Sequence, residues 1–193
     1  MKYVTSLALV AVLFSSPFVV AQESKGKEAK DAQGSGMPGP GQAQKALKMA
    51  EGTWNALIEM AGQESSKGVS VQKMVLGGMW LEDSFKADFG GMPFEGRGMT
   101  GYDPIKGKYV ATWCDSMSPG VTTTEGTYDE KTRTLTMVGD SYDHMGAKVK
   151  VRMLTIHKDA NTVVFEMYQT GADGKEAKQM TITYTRAGGT PAK

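Results

Sequence analysis

The sequence predicts an all-β protein: an antiparallel up-and-down meander of about ten strands closed into a barrel and entered through one short N-terminal helix. Three observations predict it. From Thr53 onward apolar and polar residues alternate with period two, the pattern of strands that bury one face. The alternating runs are short, evenly spaced and separated by chemically explicit turn formers. So many consecutive hairpins leave two raw sheet edges, and pairing the first strand with the last removes both. A β-sandwich is the alternative that the same spacing allows.

In chain order, Lys2 followed by the largely apolar Leu7–Val20 and the small residues Val19-Val20-Ala21 has the form of a signal peptide over 1–21. The run is too short for a convincing membrane span. Export to a periplasm or the extracellular space is the expectation. Residues 22–41 are charged, then rich in Gly and Pro, and form no core, which predicts a disordered tether. Gln42–Glu51 groups Ala46, Leu47, Met49 and Ala50 on one side, as a short helix would, and Gly52 stops it. The barrel domain is expected over 42–187, with a flexible tail over 188–193.

Candidate strands are 53–60, 69–76, 79–88, 93–102, 107–116, 121–128, 133–139, 147–157, 162–170 and 176–186. Gly77-Gly78, Asp103-Pro104, Asp129-Glu130-Lys131, Asp159-Ala160-Asn161 and Asp173-Gly174 punctuate them. Gly90-Gly91 reads as a hairpin loop, and Gly96 and Gly98 as strand bends. In 147–157, Val149, Val151 and Met153 oppose Lys148, Lys150 and Arg152. Leu154 and Ile156 break that phase, predicting a bulge or a strand covered on both sides, and leave the facing of His157 open.

Composition narrows function. Removing the leader leaves 21 basic and 21 acidic residues, a balance that argues against nucleic acid or an anionic membrane as the main partner. The single cysteine, Cys114, excludes an internal disulfide, and its mid-strand position suggests burial. His144 and His157 lack zinc-ligand spacing, so no metal site is assigned; Asp140, Asp143 and His144 read as a solvated turn. Gly139-Asp140-Ser141 looks like a hydrolase block, but no helix follows it, so it reads as a hairpin loop. There is no GxSxG elbow, P-loop, GxGxxG or CxxC pair. The fourteen methionines suit core filling, or an adaptable apolar cavity.

In the segment GYDPIKGKYVATWCDSMSP, Tyr109, Trp113 and Asp115 fall at alternate positions and share one face. Rings beside a carboxylate could line a pocket or form an ordinary core with a polar rim. Glu125 and Glu166 are further strand carboxylates; any that points inward would have a raised pKa and need a partner such as Arg97.

Leu76-Gly77-Gly78-Met79-Trp80-Leu81, Gly91-Met92-Pro93-Phe94-Glu95-Gly96, Gly101-Tyr102-Asp103-Pro104, Tyr109 with Trp113-Cys114-Asp115-Ser116-Met117, Glu125-Gly126-Thr127-Tyr128 and Thr183-Tyr184-Thr185-Arg186 form an ordered series. Over about Ala43 to Arg186 this resembles the bacterial family catalogued as domain of unknown function 1579. The resemblance implies a calycin-type barrel, the lipocalin and fatty-acid-binding class. It carries over no catalytic residue and no cofactor.

The leading expectation is a secreted, non-catalytic barrel that binds a small apolar or amphipathic ligand. Trp80, Arg97, Tyr109, Trp113, Asp115 and Glu166 are the candidate binding residues: rings as walls, Arg97 and the carboxylates for orientation. Trp80 is the weakest, since Leu81 and Phe85 compete for the inward face of its strand. One alternative is an enzyme using Asp115 and Glu125 as acid and base. The other is a structural or interaction module of the cell envelope.

Overall fold

A computed structural model describes residues 39–142, 146–171 and 173–188. The expected leader, the tether up to residue 38, and the tail from residue 189 lie outside the described residues, as do Asp143 and His144.

One helix and ten strands follow in order: α1 Gln42–Lys48, β1 Gly52–Met60, β2 Ser66–Val75, β3 Trp80–Phe89, β4 Met92–Asp103, β5 Lys108–Asp115, β6 Ser118–Asp129, β7 Thr134–Tyr142, β8 Lys148–His157, β9 Thr162–Thr170 and β10 Glu176–Arg186. Each strand pairs antiparallel with its chain neighbours, and β1 pairs with β10, so the sheet is a closed barrel without an edge. The turns use the predicted chemistry. Gly90 and Gly91 both take positive φ between β3 and β4, where the amide of Gly91 donates to Asp88. Asp103, Asp129 and Asp173 accept from backbone amides two or three residues on.

The register assigns the faces. Trp54, Ala56 and Ile58 of β1 are buried, and their β2 partners are Ser70, Gly68 and Ser66. Carried around the barrel, the same phase turns Leu81, Asp83 and Phe85, then Gly96, Gly98 and Thr100, then Tyr109, Ala111, Trp113 and Asp115 inward.

Three local expectations change. β8 keeps an unbroken register with β7 and β9, so no bulge lies there. Leu154 and Ile156 sit on the outer wall, half-buried opposite Glu166 and Val164, and His157 points inward, where it is buried. Gly139-Asp140-Ser141 is strand rather than loop. Ladder pairing on both sides overrides its turn-forming residues, with Gly139 opposite Thr124 and Val151. Cys114 is exposed, because period-two alternation that turns Trp113 and Asp115 inward must turn it outward.

Arg186 ties the helix-bearing end together. Its guanidinium stacks 4.1 Å over the Trp54 ring and donates to the carbonyls of Ala160, Glu51 and Met49. Leu47 and Ala50, on and just after α1, pack with Leu81, Tyr109 and Met137 and plug this end. The loops β1–β2, β3–β4, β5–β6, β7–β8 and β9–β10 connect the strands at the other end, where no described helix lies.

Candidate ligand site in the barrel lumen

The interior holds two separate apolar clusters. One is the plug. The other joins Trp54, Ala56, Ile58, Phe85, Val163, Ile182 and Tyr184, with Met60, Phe94, Trp113, Phe165 and Met180 packed against it. Eight-stranded barrels are just wide enough for side chains to fill, and diameter grows with strand number. Ten strands give a wider interior than eight, and the inward Gly68 is overlain by Phe85 and Ala87. Asp83 and Met153 both face inward at mid-strand and are half-buried.

Trp113 is one of two inward indoles, with Trp54. Its six-membered ring lies across Gly96 and Gly98; a β-carbon at Gly98 would stand 3.0 Å from the indole, and one at Gly96 would overlap it. These glycines are a floor for the ring rather than strand bends. Asp115 sets the ring's orientation: one carboxylate oxygen accepts from the indole Nε1 at 3.0 Å, the other from the Met117 amide at 2.9 Å. Phe85 meets Trp113 edge-on, centroids 6.4 Å apart, and meets Tyr184 likewise at 6.3 Å.

Between these rings sits a polar chain. Gln72 Nε2 donates to Ser70 Oγ at 3.1 Å, and Ser70 Oγ donates to Asp83 Oδ1 at 2.7 Å. Burial pushes the Asp83 carboxyl up to about 6, only partly offset by the Ser70 hydrogen bond. Burial first, then the charge of Asp83, holds the Tyr184 hydroxyl protonated well above the ordinary tyrosine range. Among the described residues nothing donates to the second Asp83 oxygen or bonds the Tyr184 hydroxyl. Neither is an enclosed orphan, and both side chains stand at inward-facing positions of their strands.

The six residues singled out in the sequence divide. Tyr109, Trp113 and Asp115 share the inner face. Tyr109 is committed to the plug: its hydroxyl donates to the Ala43 carbonyl at 2.9 Å, and burial raises its pKa. Trp80, Arg97 and Glu166 belong to the outer wall, because each is one position out of phase with the inward set. Trp80 lies over Gly101, Arg97 is exposed, and Glu166 accepts from Lys178 and Tyr168, which hold its carboxyl below the usual range. None of the three reaches the lumen. Glu125 is also outside, ion-paired with Lys106 and Lys108, so Asp115 and Glu125 cannot act together on one bound molecule.

Sequence reasoning missed Asp83, Ser70 and Tyr184 as a polar group. The signal existed: Leu81, Asp83 and Phe85 alternate, so an inward Leu and Phe imply an inward Asp.

At the open end a notch of about 430 Å³ is lined by Ala147, Lys148, Val149, Lys150, Gln169, Thr170 and Gly171, and Val149 and Gln169 carry it to the inner face. Outside the plug, a groove of about 790 Å³ runs along α1 past Tyr102, Tyr128 and Arg133. Among the described residues no group of three His, Cys, Asp or Glu stands close enough to hold a metal ion, and no helix is long and apolar enough to cross a membrane. Burial, then the charges of Arg133 and Arg186, lower the His157 pKa.

The profile of a family described as "Protein of unknown function (DUF1579)" matches residues 39–186. No curated protein matches the chain. Among solved structures it is similar to a de novo designed fluorescence-activating β-barrel, at 16% identity over 74% of this chain and 97% of that one, TM-score 0.41. It is similar to a redesigned β-barrel bound to DFHBI, at 15% identity over 73% and 98%, TM-score 0.40. The S-type phycobiliprotein lyase CPES of Guillardia theta shows 9% identity over 77% and 98%, TM-score 0.49. Likeness at this level carries no inference about activity or ligand.

Proposed function

The chain belongs to the DUF1579 family, and we propose that it binds one small, largely apolar molecule in the barrel lumen without transforming it. The observation that carries this reading is a pair of inward polar atoms that bond to nothing among the described residues, the second Asp83 oxygen and the Tyr184 hydroxyl, framed by Phe85 and Trp113. Small-molecule sites combine apolar walls with a few placed polar groups in this way. The uncovered end near Val149 and Gln169 is the entrance. The signal-peptide pattern over 1–21 supports an exported protein that works as a carrier or scavenger.

The test is titration with N-phenyl-1-naphthylamine, a neutral apolar fluorophore. Its emission is expected to rise saturably at one site per chain. Ala87→Phe, which adds a ring to the inner face opposite Gly68 and Phe94, is expected to abolish the rise while the far-UV circular dichroism stays that of the parent. No saturable binding by the parent, or equal binding by a folded Ala87→Phe variant, refutes the proposal.

A further inference from the structure

The charges on the inner wall are one-sided. Among the described residues the inward-facing acids are Asp83 and Asp115, and both Asp115 oxygens are taken by the Trp113 indole and the Met117 amide. The inward-facing bases are Arg186 and His157, both at the plugged end. Arg186 is spent on Trp54 and three backbone carbonyls, and His157 is buried beside Val163 with its pKa lowered. Every described lysine on the strands lies outside this set: Lys67, Lys73 and Lys86 alternate with inward residues, Lys108 pairs with Glu125, Lys148 and Lys150 with Asp140, and Lys178 with Glu166. Among the described residues Asp83 therefore has no cationic partner inside the barrel.

The neutral groups around it favour a charged acceptor. Gln72 gives its proton to Ser70, and Ser70 gives its own to Asp83, so the chain ends on the carboxylate as an acceptor. The second carboxylate oxygen and the Tyr184 hydroxyl both offer lone pairs to the lumen. The Trp113 ring lies over Gly98, which is the β4 partner of Asp83, so an aromatic face adjoins the carboxylate. Phe85 and Tyr184 supply two more rings. A carboxylate among aromatic faces is the chemistry that recognises an ammonium: ring quadrupoles and the anion attract it together, and its N–H groups find acceptors. An anionic head group would meet an unscreened like charge in a low-dielectric space.

Resting on the lumen-binding reading above, we propose that the ligand carries a protonated basic nitrogen. The nitrogen sits against Asp83 and Tyr184 within the rings of Phe85 and Trp113, and the apolar remainder points toward Met60, Met167 and Met180.

The experiment is displacement of N-phenyl-1-naphthylamine from the full chain at pH 7.5 by three probes of equal chain length: octylamine, 1-octanol and octanoate. Octylamine is expected to compete about 10- to 100-fold better than 1-octanol, the range given by one charge-assisted hydrogen bond with a cation–π contact, and octanoate is expected to be the weakest. In Asp83→Asn, which keeps an oxygen for Ser70, the octylamine-to-octanol ratio is expected to fall to within about threefold of unity. A parent ratio at or below one, or a ratio unchanged in Asp83→Asn, overturns this inference while leaving the binding reading intact. If the fluorophore and all three probes fail to bind, both fall.

Discussion

Asp83→Asn should make the unliganded barrel more stable at neutral pH. An aspartyl carboxyl held at about 6, against 3.8 for an unperturbed side chain, opposes ionisation by about 3 kcal/mol. The sign follows from proton binding. Between pH 4 and 6 the folded chain holds the Asp83 proton and the unfolded chain has released it. The stability this group contributes is therefore complete below pH 3.8 and is lost as pH rises through about 6. At pH 8 the ionised carboxylate weighs against folding by nearly that whole amount. Asparagine removes the charge, keeps an acceptor for Ser70, and adds an amide that must find water in the lumen, which returns roughly 1 kcal/mol. The net gain at pH 8 is about 1–3 kcal/mol, or an increase in Tm of about 3–8 °C for a domain of this size. The assay is thermal unfolding followed by circular dichroism from pH 4 to 8, in protein stripped of any ligand by refolding. Parent and variant curves should converge near pH 4 and separate above pH 6. A variant that is less stable at pH 8, or a separation that does not change with pH, refutes the assignment of Asp83 as a buried, unpaired inner carboxyl.

Other expectations test the frame around the site. Gly96→Ala forces a β-carbon into the Trp113 ring and should cost about 1–3 kcal/mol by urea denaturation, with altered near-UV circular dichroism from the displaced indole. Arg186→Met removes donors to three carbonyls and the stacking on Trp54, and should cost about 2–4 kcal/mol in the same assay. Tyr109→Phe loses only the hydroxyl bond to Ala43, so about 0.5–1.5 kcal/mol, with faster amide exchange confined to α1. Cys114 should react with a thiol reagent in the native protein at nearly the rate of the unfolded chain; a large protection factor would place it inside the wall instead.

Most of the fold was legible because it rests on local rules. Period-two alternation and Asp-Gly turn chemistry mark all ten strands to within a few residues, and barrel closure follows from the need to remove two edges. Boundaries slipped where a partner strand decides. Gly139-Asp140-Ser141 has turn composition, yet β6 and β8 both bond to it, and a lone segment cannot reveal the second ladder. Facing was legible only where phase was carried consistently. Trp113 inward entails Cys114 and Arg97 outward, because Arg97 is the β4 partner of Cys114. Residue type alone suggested the opposite for both, since cysteine favours interiors and arginine suggests a ligand clamp. Trp80 misleads in the same way: a large aromatic on the outer wall is shielded there by lying over Gly101, a contact visible only across the β3–β4 pair.

Asp83 was hidden for the converse reason. Binary patterning treats a charged residue in a strand as a mark of the solvent face, so an inward carboxylate reads as noise in the alternation. In this barrel it coincides with two other departures from a single apolar core: two apolar clusters that do not merge, and a polar chain from Gln72 through Ser70 that ends on it. A core evolved only for stability has no use for any of them, since a hydrophobic side chain at position 83 would bury cleanly beside Leu81 and Phe85. Local rules fail together at one place here, and that place is an inward-facing carboxylate. On the proposed reading, a cation bound beside Asp83 recovers the stability that its ionised carboxylate withholds from the unliganded barrel, so the same residue that lowers the stability of the fold at neutral pH would raise the affinity of the site.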